Sequence, residues 1–337
     1  GSVFENCIFS GNSTDGTAAD GGFGGAVGCF GTAGATPGIV TFKKCQFEGN
    51  KAKYSGGAAA SRITSLHFTD CNFIDNIATS EDDSRRASII YTDAKVDAKI
   101  YCDGCYFANS NSLAASNSKG TMILNYGAAA DVCINNSVLS GYWGYGASYS
   151  VTNMNTGTLT VSNSTLLGQA GAIVYNTSTG SVSVINSIVG NASTGMISCK
   201  ADDGTFTLNN SLCTTTAIAA TDCAVNINVR TNADATVKFP TDDTPWVHGA
   251  ANLMREENGT KTAAVGDCRG KVYYYDWDGT YPENVTFTPT TMDTVNGLIQ
   301  TADPDFYDWL TANGSLNKDI RGKARDAQSM WPGSYQE

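Results

Sequence analysis

The chain has 337 residues, only 16% of them charged, with 36 glycines, seven prolines and a formal net charge of −11. That acidity disfavours binding to nucleic acid or to an anionic membrane by bulk electrostatics, and no apolar run of about 18 residues offers a membrane-spanning helix. Low charge with abundant Gly, Ser, Thr and Asn suits short strands and frequent bends and argues against a helical protein.

Gly1-Ser2 reads as a cloning remnant. In the first unit Ser2 stands where Val40 and Leu66 stand later, so the chain is expected to start within a coil, its signal sequence removed. From there one pattern recurs eight times. Its anchors are Cys7, Cys45, Cys71, Cys105, Ser137, Ser164, Ser187 and Ser211. Two residues after each comes an apolar residue: Phe9, Phe47, Phe73, Phe107, Leu139, Leu166, Val189 or Cys213. Three before it comes Phe4, Phe42, Phe68, Cys102, Ile134, Val161, Val184 or Leu208, and five before it another apolar residue such as Leu66 or Ile100. Each half has strand periodicity, but the phase breaks between them, which requires a bend. The residue before the anchor is Asn6, Asn136, Asn163, Asn186 or Asn210, with Asp70 and Gly104 in two other units, all types that tolerate the left-handed conformation. Only Lys44 departs.

A third strand is expected in the interval. Its candidates include Ala58-Ala59, Ile89-Ile90, Ile123-Leu124, Val151 and Val174, and from Leu124, Val151 and Val174 the next anchor is 13 residues on each time. The predicted fold is all-β: a right-handed single-stranded parallel β-helix of three strands per coil and about eight or more coils, spanning 3–229. The anchor cysteines Cys7, Cys45, Cys71 and Cys105 share an inward column and are read as stacked buried thiols. The CxxC of Cys102 and Cys105 is read as two core positions separated by the bend. Cys223 and Cys268 lie outside the repeat, with a disulfide between them left open.

The long spacings place insertions at Ser80–Arg86, Ala114–Lys119 and Gly141–Gly146. After about Val229 the repeat fades and six of the seven prolines appear. Residues 230–337 are predicted to be an irregular C-terminal cap packed on the last coils, with one helical turn around Thr301–Leu310.

Two resemblances follow. Phe9-Ser10-Gly11-Asn12 with Gly24-Gly25-Ala26-Val27, and Phe47-Glu48-Gly49-Asn50 with Gly56-Gly57-Ala58-Ala59, resemble the FxxN and GGA repeats of polymorphic outer-membrane proteins, bacterial surface β-helices that often act as adhesins. Asp303-Pro304-Asp305-Phe306, then Asp319 to Arg325, then Pro332-Gly333-Ser334-Tyr335-Gln336, resemble the ending of secreted bacterial β-helix proteins of the choice-of-anchor type, with Ser334 and Gln336 in place of Ala and Glu. These resemblances imply a bacterial protein, secreted or on the cell surface; they do not point to a reaction. Asp319 and Arg325 are expected to pair across a turn at Gly322 and close the cap.

A β-helix hydrolase or lyase acting on acidic polysaccharide would need carboxylates that meet. The best local set is Asp82, Asp83, Arg85, Arg86 and Asp93, with Lys95 and Asp97; the bland reading is a solvated charged loop. Calcium is the one cation considered, and no cofactor is assigned. His67 lies between inward residues and is expected to face solvent. Aromatic residues are the stronger signal, because Tyr and Trp faces stack on sugars or anchor protein contacts. Tyr91 and Tyr175 follow inward residues and should face outward, and Tyr142, Trp143 and Tyr145 sit in a Gly-rich loop. The expectation is a monomeric, non-catalytic, adhesin-like module that recognises glycan or surface protein; the alternatives are the polysaccharide enzyme and a structural stalk.

Overall fold

A computed structural model describes residues 1–16, 21–30, 38–79, 87–94, 97–108, 121–142, 149–168, 174–176, 179–190, 197–213, 218–231, 247–249, 252–257, 260–263, 290–320, 322–330 and 332–334. Successive repeat units lie against one another through three parallel ladders. The first runs through Ser2–Glu5, Ile39–Lys43, Ser65–Thr69, Ala98–Asp103, Ala130–Asn135, Thr158–Ser162 and Ser181–Ile185. The second holds the residues just after each anchor, from Ile8–Ser10 to Ile188–Gly190. The third joins Val27–Cys29, Ala59–Ser61, Ala87–Thr92, Thr121–Asn125, Tyr149–Asn153 and Val174–Asn176. The fold is thus an all-β stack of parallel coils.

The bend before each anchor is present in all eight units. Asn6, Lys44, Asp70, Asn136, Asn163, Asn186 and Asn210 have φ between 46° and 54°, and Gly104 has φ 66°. Lys44 therefore adopts a conformation that costs an ordinary L-residue about 1–2 kcal/mol. Because its side chain is exposed, Lys44→Asn is expected to raise stability by about 1 kcal/mol in chemical denaturation. No gain would show that the site is not strained.

The FxxN and GGA stretches have physical roles in this stack. Gly11, Gly49 and Asp75 form a second left-handed column, at φ 65°, 61° and 54°. Beside it the motif asparagines form a ladder: Asn12 Nδ2 donates to Asn50 Oδ1 at 2.9 Å, and Asn50 Nδ2 to Asn76 Oδ1 at 2.9 Å. In GGA, Gly24 and Gly56 both sit at φ 70°, and a Cβ on Gly25 would lie 2.2 Å from the Gly57 carbonyl oxygen.

The interior is made of columns, one residue per coil. Phe9, Phe47, Phe73 and Phe107 stack with centroids 4.7, 4.8 and 4.6 Å apart. Phe42 and Phe68 stack in the neighbouring column, edge-on to them. Third-strand register differs from expectation in one coil. Ile123, not Leu124, aligns with Ile90 and Val151, so Leu124 leaves the interior and packs against Tyr91. A ninth coil follows the eighth, since Ile218–Thr231 pairs with Ile197–Lys200, Gly204–Asn209 and Ser211–Cys213, with two register shifts. Cys223, opposite Gly204, belongs to it rather than lying outside the repeat. The sequence hides this coil because its pairing passes from Asn209–Asn228 to Ser211–Val229, skipping the bend residue.

The C-terminal region is more helical than expected. Helix α1 is Met292–Ala302 and helix α2 is Pro304–Ala312. Thr291 caps the first, while Asp303 caps the second by accepting from Phe306 N at 2.9 Å, with Pro304 at the first helical position. Val295 and Ile299, then Phe306 and Leu310, are the inward pairs at i, i+4 spacing. They cover the outer face of the first ladder at Tyr101, Cys133 and Ile185. The described part of this region therefore runs along the flank of the stack: Trp309 meets His67 in the third coil, and Met330 O meets Asn210 in the eighth. A cap restricted to the last coils is corrected accordingly. The cause is the outward side chains of Tyr101, Cys133 and Ile185, which would otherwise face water.

Candidate functional site: an aromatic and charged strip

Five residues directly after the third-ladder strands occupy one position in successive coils: Phe30, Arg62, Asp93, Tyr126 and Met154. The register of their strands places them so, and Arg62 N, Asp93 N, Tyr126 N and Met154 N each bond a carbonyl of the coil before. Phe30 is 41% exposed; Arg62 and Asp93 are 38% and 16% exposed in their side chains. Tyr126 and Met154 are half-buried. At about 4.8 Å per coil, Phe30 and Tyr126 stand roughly 14 Å apart.

The strip rests on a rigid aromatic base. Phe23 stacks on Tyr91 at 5.2 Å and also meets Tyr54 and Phe30. The Arg62 guanidinium lies 5.1 Å from the Phe23 centroid and 5.5 Å from that of Phe30. Its Nε is 3.3 Å from Asp93 Oδ2, which in turn accepts from the Tyr91 hydroxyl at 3.4 Å. Cation–π contact and the carboxylate together hold the guanidinium in place.

Of the predicted binding residues, Tyr91 is corrected. Its side chain leaves the interior, as alternation requires, but it is 0% exposed because Phe23, Ala87 and Leu124 cover it. It supports the strip rather than presenting a face. Tyr175 continues the same column, opposite Thr152, and Tyr142 ends its strand opposite Gly168; both side chains lie outside the described residues, as do Trp143 and Tyr145 entirely.

Among the weak catalytic candidates, Asp82, Asp83, Arg85 and Arg86 lie outside the described residues, with Lys95. Asp93 and Asp97 do not converge: Asp93 faces Arg62, and Asp97 pairs with Lys99 at 3.0 Å. Burial works against the Lys99 charge, but Asp131 and Asp97 outweigh it and hold its pKa above the ordinary range. Lys99 also reaches Asp305 at 3.3 Å, tying the start of α2 to the stack.

His67 is also corrected. It is 9% exposed, stacked on Tyr101 at 4.9 Å and edge-on to Trp309, and burial lowers its pKa to about 4. It is a neutral ring under the helices. Asp103, of the CxxC stretch, is fully covered, and burial raises its pKa to about 6 against the opposing bonds from Asn135 and Ser315. It ends a chain of amides: Asn210 donates to Asn186, Asn186 to Asn163, Asn163 to Asn135 and Asn135 to Asp103, at 2.7 to 2.9 Å. Around Gly322, at φ 77°, Asp319 Oδ1 accepts from Lys323 N at 3.0 Å. Arg325 reaches out of the turn to Asn136. Among the described residues no three or more His, Cys, Asp or Glu side chains converge as a metal site. Compared with known proteins, the chain matches no family model, no curated protein and no solved structure significantly.

Proposed function

We propose that the chain is a secreted or surface-exposed, non-catalytic binding module that recognises glycan, or else a surface protein, along the strip from Phe30 to Met154. The winding is taken as right-handed, as crossovers between parallel strands almost always are, which makes the stack a parallel β-helix. One observation carries the reading: a partly exposed row, one side chain per coil, of Phe30, Arg62, Asp93 and Tyr126, ending in Met154, over an aromatic base. Its repeat of about 4.8 Å is comparable with the advance per sugar of an extended chain. Its rings can stack on sugar faces while Arg62 and Asp93 bond hydroxyls.

A glycan array with purified protein, with and without calcium, followed by a product assay on each hit, tests this. Phe30→Ala and Tyr126→Ala are each expected to weaken binding about tenfold, and Trp143→Ala to weaken it further. Turnover of a bound glycan would overturn the non-catalytic reading and direct attention to Asp82, Asp83 and Asp93. Binding unchanged in all three variants would remove the strip. Silence on the array, together with no protein partner, would leave a stalk.

A further inference from the structure

The Arg62 guanidinium is fixed in place but left with its bonding edge open. Phe23 and Phe30 both lie against it, with centroids 5.1 and 5.5 Å from its Cζ, and its Nε meets Asp93 Oδ2 at 3.3 Å. Asp93 is itself held, since the same oxygen accepts from the Tyr91 hydroxyl at 3.4 Å, and Tyr91 is buried against Phe23. The Nε is covered by its neighbours yet makes no hydrogen bond. Both Nη groups reach solvent, and neither bonds an acceptor among the described residues.

A partly exposed ion pair stabilises a fold little, and freezing a long side chain costs rotamer freedom. What the arrangement does provide is preorganisation: an incoming partner meets a guanidinium that needs no further ordering. The free edge of two Nη groups matches the two oxygens of a carboxylate, or two of a sulfate, in a planar fork. Phe30 stands one coil before Arg62 and Tyr126 two coils after, about 5 and 10 Å along the stack. The chain as a whole works against an anion. Its net charge of −11 repels one at long range, and Asp93 offsets part of the guanidinium charge from the Nε side. Any preference for an anionic ligand must therefore come from the fork itself.

Resting on the strip as the binding surface, we propose that Arg62 makes it a reader of anionic glycan: a sugar ring stacks on Phe30 while its carboxylate or sulfate group takes both Nη groups of Arg62.

The test is titration calorimetry of the purified chain with oligomers of glucose, galactose and mannose, each in neutral, uronate and sulfated form. The native chain is expected to bind a charged form about tenfold more tightly than the neutral oligomer of the same backbone. The form preferred tells carboxylate from sulfate. Arg62→Gln should abolish that preference and leave affinity for the neutral oligomer within about twofold, whereas Phe30→Ala should weaken charged and neutral forms alike. Arg62→Lys keeps the charge but not the fork, so it should recover only part of the preference. Circular dichroism and Tm check that each variant folds. Equal affinity of the native chain for charged and neutral forms overturns the anion site and leaves the strip a binding surface. So does a preference that survives Arg62→Gln. No binding of any oligomer overturns the glycan-binding strip, and this site with it.

Discussion

Phe73→Ala is expected to cost about 3–5 kcal/mol of stability, the largest effect of any single change considered. Phe73 is 0% exposed. It stacks on Phe47 at 4.8 Å and on Phe107 at 4.6 Å, and stands edge-on to Phe68 at 5.2 Å. Truncation removes buried area, leaves a cavity between two coils that the ladders hold at fixed spacing, and breaks two stacks worth about 0.5–1.5 kcal/mol each beyond their area. Phe73→Leu should cost far less, about 1–2 kcal/mol, because Leu139 and Leu166 already serve in that column. Denaturant midpoints at unchanged m-value would measure both. A loss below about 1 kcal/mol for the alanine variant would mean that the first coils open independently of the rest, as weakly coupled repeats do.

The columns were legible because each is stated eight times over, so an error in one unit is corrected by its neighbours. The bend is a case in point: Asn, Asp and Gly in seven units place Lys44 in the same conformation. What alternation cannot supply is what lies over an outward side chain. Tyr91 and His67 both point away from the interior, as their phase requires, yet Phe23 and Trp309 cover them from distant parts of the chain. The third strand was the least exact because it carries no bend residue to fix its phase, and Leu124 is as apolar as Ile123. The candidate strip was missed for a related reason. Phe30, Arg62, Asp93, Tyr126 and Met154 share no residue type, and only the register of the third ladder aligns them. For the helices a local signal did exist: Asp303-Pro304 is a capping residue followed by the imino acid favoured at the first helical position.

Arg325→Ala is expected to cost about 2–4 kcal/mol and to loosen the C-terminal region before the stack itself. Arg325 is 4% exposed. Its Nη2 donates to Asn136 Oδ1 at 2.8 Å and to Gly333 O at 3.0 Å, and its Nε to Lys318 O at 3.1 Å. One side chain thus joins the turn around Gly322, the final segment and a bend of the fifth coil. Nearby, Gly333 N bonds Asn186 O at 2.8 Å and Ser334 N bonds Thr165 Oγ1 at 3.2 Å, which seats the same segment on two further coils. Removing the guanidinium leaves buried acceptors without their donor, and the desolvation cost falls on the docking of residues 313–334 rather than on the ladders. Arg325→Lys restores the charge but not the planar fork, so it should recover only part of the loss. Hydrogen exchange read separately over residues 313–334 and over the ladder strands would show this as faster exchange confined to the former. Uniform acceleration over both would mean that the flank and the stack unfold as one unit, and that Arg325 stabilises the whole rather than the attachment of its end.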